Sequence, residues 1–439
     1  MTLASPAVRR GRPLGGRFAP PGDKSITHRA VLFGLLAEGA SRIEYANPGE
    51  DCLGSLRCAE SLGATVRREG DAWLLTGAAG ALHAPGGPLD CGNSGTTMRM
   101  LAGIVARSGA PVTLTGDASL TRRPMARIVT PLARMGANLV TAEGGRPPLT
   151  ITGGALRGIT YDVPVASAQV ATCVLLAGLA AEGATEVRLP GPARDHTERM
   201  LPAYGVPLEV PAGVGGARAV RLAGAASLRA CDVRVPGDAS AAAFFLAAAA
   251  AEPGARVTAE RMNLNPTRTG LLDVLAAMGA DVAVTNAREE AGEPVGDVTV
   301  TGPERLRAFD VPAEWAPRLI DEVPAWVIAA SAAEGRSSVS GAAELRVKES
   351  DRVVALARNL AACGIETEER PDGLAVTGGR PRGARIEAHL DHRIVMAFAA
   401  LGARTDDAMT FDDVSSVATS YPSYFATLAE LGASVEGGA

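Results

Sequence analysis

The sequence predicts an α/β fold in two domains, on three observations. Two interleaved series of glycines recur about every 70 residues, and helix-like and strand-like apolar stretches alternate between them. The chain is also 47% hydrophobic but only 4% aromatic, so its core is built from Ala, Val and Leu. With 439 residues there is enough chain for about two or three domains.

The first series closes helix-like runs at Gly39, Gly109, Gly183, Gly254, Gly335 and Gly402, spaced 67 to 81 residues apart. The second comprises Gly63, Gly136, Gly205, Gly279, Gly364 and Gly432, spaced 68 to 85 residues apart. Each glycine is expected just past a helix end, where a left-handed backbone suits it best. The matching counts predict six helix–strand–helix–strand units, and strands alternating with helices imply βαβ connections. Six units divide into two domains of three: residues 21–235, and residues 1–20 together with 236–439. The crossover is expected near "VPGDASAAAF" (235–244), and the leading segment is expected to supply a strand to the second half.

Bulk composition excludes several function classes. A net charge of -5 argues against broad nucleic-acid or anionic-membrane binding. The longest apolar runs, 171–181 and 241–251, fall short of the roughly 18–20 residues of a membrane span. "MTLASPAVRRGRPLGG" lacks the apolar stretch of a secretory signal. The six cysteines form no C-x-x-C pair and read as free thiols in a reducing, cytoplasmic setting.

The predicted helices begin in polar clusters: "DKSITHR" (23–29), "GNSGTTMR" (92–99), "ASAQ" (166–169), "GDAS" (237–240), "IDEV" (320–323) and "DHR" (391–393). The interleaved set begins at "TRRPMAR" (121–127), "ARDHTER" (193–199), "NPTRTG" (265–270), "VKESDR" (347–352) and "ATSYP" (418–422). Helix starts present unpaired N–H groups and the positive end of a dipole, so they suit anions. Ser, Asp and Asn there are explained as caps, and Asp238 and Ser240 are expected to cap. Caps need no cations, however, and these starts carry Lys24, Arg29, Arg99, Arg122, Arg123, Arg194, Lys348, Arg352 and Arg393. An acidic chain that gathers its cations at helix starts is suited to small phosphate and carboxylate ligands.

Other chemistries fit poorly. "PPGDKSITHR" resembles a P-loop, but Asp23 separates Gly22 from Lys24 and the first glycine of that motif is absent. His389 and His392 lie three apart without the residues that would complete a metal site. No G-x-S-x-G elbow and no dinucleotide-binding glycine motif occurs.

"LDCGNSGTTMRMLAG" (89–103) and "RVKESDRVVAL" (346–356) are similar to the two signature stretches of the EPSP synthase family. "GDKSITHR", "SAQ", "PGDAS", "LIDEVP" and "DHR" follow in the family's order, so the resemblance covers essentially the whole chain. It implies a two-domain inverse α/β barrel of six βαβαββ-type repeats, three per domain, with the active site in the cleft between the domains. It implies transfer of the enolpyruvyl group of phosphoenolpyruvate to the 5-hydroxyl of shikimate 3-phosphate, without cofactor or metal, by a monomer. The sister enzyme that acts on UDP-N-acetylglucosamine typically carries a cysteine in the loop corresponding to 111–125, which here has none. A non-catalytic anion-binding relative is the other alternative.

Carried over by motif, Lys24 lies between both substrates, with Ser25 and Arg29 on the shikimate side. Ser167, Ala168 and Gln169 line the shikimate phosphate site, helped by Arg194, and Gln169 also reaches phosphoenolpyruvate. Gly95, Arg123, Arg352 and Arg393 hold the phosphate and carboxylate of phosphoenolpyruvate. Asp321 and Lys348 grip the shikimate hydroxyls, Asp321 as base, and Glu349 faces the reacting methylene as acid, assisted by Lys24. The small Gly95 matches members sensitive to the phosphonate herbicide glyphosate. Ala168, Ala193, Glu344 and Thr419 depart from residues common in relatives, which bears on the phosphate grip, and Arg194 is a candidate to compensate for Ala193.

Overall fold

The computed structural model describes residues 6–211 and 216–437. The chain is mixed α/β and divides into two compact units. One comprises residues 22–235 with 290–293, and the other comprises residues to 21, 236–289 and 294–439. Relative to the expected boundaries, Pro21 and the short stretch Glu290–Glu293 change sides. Glu293 is fully buried and hydrogen-bonds His196, a non-local contact that no local pattern announces. The first five residues of the expected 1–20 segment lie outside the described residues.

The 22–235 unit carries α1 (Lys24–Leu36), α2 (Glu50–Ser61), α3 (Gly95–Val105), α4 (Ala126–Arg134), α5 (Ala168–Gly178) and α6 (His196–Met200). In its first sheet, Val233–Arg234 runs parallel to Ala40–Glu44, which pairs antiparallel with Ala72–Thr76, itself paired with Thr65–Glu69. Leu89–Asp90, Val112–Thr115, Arg146–Thr152 and Asn138–Ala142 repeat that arrangement. Thr160–Asp162, Thr185–Leu189 and Arg218–Leu222 repeat its first three members. Every residue of α1 from Ile26 to Leu36 is buried, as an all-round apolar helix requires. Helix α3 packs on α5, and a side chain at Gly103 would meet the Cys173 carbonyl oxygen at 2.2 Å, so only glycine allows that approach.

The other unit carries α7 (Ala239–Ala250), α8 (Gly270–Ala277), α9 (Ala316–Leu319), α10 (Val323–Ala330), α11 (Arg352–Ala362), α12 (His392–Gly402) and α13 (Tyr424–Leu431). The leading segment contributes two strands to this unit. Ala7–Arg9 pairs antiparallel with Ser434–Glu436, and Gly15–Phe18 runs parallel to the strand Arg256–Asn263. Asp310–Val311, Arg336–Val339, Gly373–Thr377 and Thr367–Arg370 form a sheet ordered like those of the first unit. Helix α7 is buried along its whole length, and its Phe245 stacks on Tyr424 with ring centroids 4.8 Å apart.

Glycines of both series take the expected left-handed backbone, Gly39, Gly183, Gly254 and Gly335 of the first having φ of +101°, +84°, +75° and +107°. Gly63 and Gly364 follow the caps of α2 and α11 with φ of +110° and +79°, as expected of residues that end a helix. Gly402 instead lies inside α12, where an added side chain would meet Met409 at 2.9 Å and the Val8 carbonyl at 3.0 Å. Its glycine serves packing rather than chain reversal. All six cysteines are free, and all but Cys231 are buried. Among the described residues no helix is long and apolar enough to cross a membrane.

Candidate active site

In the 22–235 unit, the sequence-predicted residues stand at the starts of helices. Asp23 caps α1, accepting from the Ile26 N–H at 3.1 Å, so the residue that spoils the P-loop pattern organises the helix that presents Lys24 and Ser25. Lys24 Nζ lies 3.0 Å from Asp51 Oδ2, with both side chains largely buried. Arg29 is buried, donating to the Thr197 hydroxyl at 2.8 Å, the Ser25 carbonyl at 2.9 Å and the Thr172 hydroxyl at 3.1 Å. Burial pushes its pKa down to about 10, so the guanidinium remains charged at neutral pH. Arg29 thus braces the turn carrying Ser25, while Arg194 Nη1 approaches the Ser25 hydroxyl at 3.5 Å.

Ser94 caps α3 and Gly95 is its first residue. A side chain at Gly95 would come within 3.0 Å of Arg99 Nη1 and 3.4 Å of Arg123 Nη1, so two guanidinium groups converge on that helix start. Arg123 donates to Asn93 Oδ1 at 2.7 Å and Ser119 Oγ at 3.3 Å. Gln169, in the first turn of α5, accepts from Arg99 and donates to Thr96 Oγ1 at 2.8 Å, which ties the α3 and α5 starts together. Ser167 precedes α5 without capping it through its side chain, and Ala168 begins the helix. The Ala193 carbonyl accepts from Arg218 at 2.7 Å.

A second cluster forms in the other unit at the starts of α10, α11 and α12. Asp321 Oδ1 lies 3.5 Å from both Lys348 Nζ and Arg352 Nη1, and Oδ2 lies 4.0 Å from Arg393 Nη2. Arg393 also donates to the Asp321 carbonyl at 2.7 Å. Glu349 Oε2 accepts from Arg352 Nη2 at 2.6 Å. Beneath them, Asp391 caps α12 and accepts from Arg352 Nε at 2.8 Å and Nη2 at 3.2 Å. Burial alone would lower the Arg352 pKa, but Asp391, Glu349 and Asp321 outweigh it and hold the pKa above the usual arginine value. Burial likewise opposes the charge on Asp391, and Arg352 overrides it, leaving that carboxyl below its ordinary range. The pair is a buried ion pair with its hydrogen bonds made, the arrangement that such burial demands.

Asp51, Ser94 and Asp391 form part of these clusters although sequence reasoning singled out none of them as site residues. Ser94 and Asp391 stand in polar helix starts where capping explained them, the start of α2 at Asp51 was not among the predicted ones, and the non-local partners of all three are invisible in sequence. Asp238, read as a cap, does cap α7, accepting from Ser240 N at 2.8 Å, and also pairs with buried Arg268 at 2.9 Å. Asp195, His196 and Glu293 hold ligand-type atoms within 4.8 Å of one another. An Asp195–Arg199 ion pair at 2.9 Å and the His196–Glu293 hydrogen bond at 2.7 Å account for that cluster as a polar core.

The arrangement is that of a group-transfer enzyme acting on small polyanions: cations at helix starts, with two carboxylates among them in one cluster. A family model described as EPSP synthase (3-phosphoshikimate 1-carboxyvinyltransferase) matches residues 8–428. A 3-phosphoshikimate 1-carboxyvinyltransferase of Synechococcus sp. (strain WH7803) is 47% identical over 437 residues, covering 98% of this chain and 99% of the relative. That of Xanthomonas campestris pv. campestris (strain B100) is 48% identical over 420 residues, 95% of this chain and 94% of the relative. The structure of EPSP synthase from Acinetobacter baumannii aligns with TM-score 0.87 at 41% identity, covering 99% of this chain and 100% of the other. The enolpyruvyl transferase NikO from Streptomyces tendae shares the fold, with TM-score 0.76 at 19% identity. The chain belongs to the EPSP synthase family.

Proposed function

We infer that this chain transfers the enolpyruvyl group of phosphoenolpyruvate to the 5-hydroxyl of shikimate 3-phosphate, releasing phosphate, in the biosynthesis of chorismate and the aromatic amino acids. The observation that carries this reading is the full-length match to the family, with the family's motif residues standing at helix starts in both units. Both substrates are polyanions, so preorganised cations offset their repulsion and stabilise charge in the transition state. Lys24, Ser25, Arg29, Ser167, Ala168, Gln169, Arg194, Asp321 and Lys348 take shikimate 3-phosphate. Lys24, Gly95, Arg123, Gln169, Arg352 and Arg393 take phosphoenolpyruvate. Arg352 is almost wholly buried, with Nε and Nη2 committed to Asp391 and Glu349, so Nη1 is its nitrogen best placed to donate to substrate.

The chemistry is addition followed by elimination. Asp321 accepts the 5-hydroxyl proton as that oxygen attacks C2 of phosphoenolpyruvate, and the nearby Lys348, Arg352 and Arg393 favour its ionised form. Glu349, with Lys24, delivers a proton to the methylene carbon, making a methyl group. The carboxylate so formed on Glu349 then takes back a methyl proton as the C–O bond to phosphate breaks. Arg352 donates to Glu349 at 2.6 Å, so the pairing positions this side chain for the transfer. No cofactor or metal takes part. The fold is read as six βαβαββ-type repeats in an inverse α/β barrel, three per domain, working as a cytoplasmic monomer.

The test is phosphate release from phosphoenolpyruvate with either shikimate 3-phosphate or UDP-N-acetylglucosamine as acceptor. Turnover with the first and none with the second is expected. Release with the amino sugar alone would reassign the protein to the sister activity. Asp321→Asn is expected to lower kcat by about 10²- to 10⁴-fold, and a loss of less than a few-fold would refute the base assignment.

A further inference from the structure

A chain of buried side chains runs from α1 through α2 to the first turn of α3. His28 Nδ1 lies 2.8 Å from Ser55 Oγ, Ser55 Oγ lies 2.8 Å from Thr97 Oγ1, and Thr97 Oγ1 donates to Ser94 Oγ at 2.8 Å. His28, Ser55 and Thr97 are fully buried, and Ser94 is 2% exposed. His28 follows Lys24 by one helical turn, Ser55 follows Asp51 by one turn, and Ser94 precedes Gly95. The chain therefore links three helix starts that carry site residues.

Proton counting sets its direction. The Thr97 hydroxyl has one proton and gives it to Ser94; its alternative acceptor, the Asp51 carbonyl at 3.5 Å, is too distant to compete. Ser55 must then donate to Thr97, and His28 must donate from Nδ1 to Ser55. Nε2 is left as a bare lone pair, consistent with its having no partner among the described residues. The reverse direction would leave a buried Nε2–H without an acceptor, a costly arrangement. His28 is neutral, because burial and the nearby Lys24 and Arg29 hold its pKa well below the ordinary value.

The consequence falls on Ser94. Its oxygen accepts twice, from the Thr97 hydroxyl at 2.8 Å and the Thr97 N–H at 3.1 Å, which fills both lone pairs. Its own O–H has no acceptor among the described residues, although the side chain is 98% buried by the same 2% exposure. The residue that carries this donor immediately precedes Gly95, the helix start on which the Arg99 and Arg123 guanidinium groups converge. We propose that Ser94 is a substrate-binding residue whose hydroxyl donates to an anionic oxygen of phosphoenolpyruvate, and that Thr97, Ser55 and His28 are positioning residues that orient it. The proposal rests on the assignment of phosphoenolpyruvate to the Gly95–Arg123 corner.

Steady-state kinetics and thermal melts of the full chain test it. Loss of a hydrogen bond to a charged group predicts that Ser94→Ala raises KM for phosphoenolpyruvate by about 10- to 100-fold, with KM for shikimate 3-phosphate within about threefold of wild type. Ser94→Thr, which keeps the hydroxyl, is expected to restore it to within a few-fold. Should Ser94→Ala fail to fold, Ser94→Gly removes the hydroxyl at little cost to the cap and decides the question. Ser55→Ala is expected to raise the same KM a few-fold, and Ser55→Thr to rescue it; a drop in melting temperature with unchanged KM would make the chain purely structural and overturn the positioning role. Arg123→Ala is the control. If it raises KM for phosphoenolpyruvate while Ser94→Ala leaves it within twofold, Ser94 is only a cap and the proposal fails. If neither variant moves it, the assignment of phosphoenolpyruvate to this corner fails instead.

Discussion

Glu349 and Arg352 are joined at 2.6 Å, and the guanidinium that holds this carboxylate is itself 1% exposed. The pairing keeps Glu349 in a defined position three residues before Arg352, at the mouth of α11. In the proposed mechanism this carboxylate transfers a proton, so it should matter to turnover more than to folding. Glu349→Gln, which keeps the shape and removes the titratable oxygen, is expected to lower kcat by about 10²-fold or more. Melting temperature and substrate KM should stay near wild type. Steady-state kinetics alongside thermal denaturation checks this, and undiminished kcat would remove Glu349 from the mechanism.

Asp391 supports that position from below. Asp391→Asn leaves Arg352 buried with its strongest counter-charge removed, an imbalance worth roughly 3–5 kcal/mol in comparable buried pairs. Denaturant unfolding should show a loss of that order, accompanied by reduced kcat because Arg352 no longer holds Glu349 and Asp321. A variant as stable as wild type would mean that Arg352 finds other partners.

Asp51 is expected to act through Lys24. The 3.0 Å pair fixes the position of the ammonium. Asp51→Asn should lower kcat/KM by about 10-fold or more while α2, whose first turn keeps Glu50, still forms. Far-UV circular dichroism separates the two effects: normal helicity with lost activity supports the positioning role.

The backbone at Gly95 does not demand glycine, since its φ is not positive and an added side chain would meet side chains rather than backbone. A methyl group there would lie 3.0 Å from Arg99 Nη1 and 3.4 Å from Arg123 Nη1, both the far ends of flexible side chains. Gly95→Ala should therefore fold normally, with a slight gain in helix propensity. KM for phosphoenolpyruvate should rise as the two guanidinium groups are displaced. An unchanged KM would show that they yield without loss of grip.

His28 gives the folded chain a pH dependence of known sign. Its folded pKa lies well below the ordinary value of 6.5, so below that pH the unfolded chain binds a proton that the folded chain refuses. Stability from this group is complete above about pH 6.5 and falls as pH drops, at most by about 1.4 kcal/mol per unit. His28→Asn, whose amide can still donate to Ser55, should flatten the stability profile between about pH 7.5 and pH 5.5. An identical slope in the variant would place the proton uptake elsewhere.

Much of this was legible in the sequence because the signals are local. Helix starts are marked by caps such as Asp23 and Asp238, and the cations beside them, from Lys24 to Arg393, stand next to those caps in the chain. The glycine period was also legible, since Gly63, Gly136, Gly279 and Gly364 each mark a helix end through a backbone angle that belongs to the residue itself. Gly402 was misread because its small size answers to Met409 and Val8, residues that its neighbours in sequence do not reveal.

By itself, then, the sequence determined the α/β class, the family and the helix starts that gather the cations, since capping, periodicity and motif order act over a few residues. Only the tertiary structure decided how those cations are used. Arg29 braces Ser25, Arg352 is locked onto Asp391 from 39 residues away, and Lys24 finds Asp51 from 27. Each pairing depends on which helices pack together, and on burial that makes an unpaired charge too costly to keep.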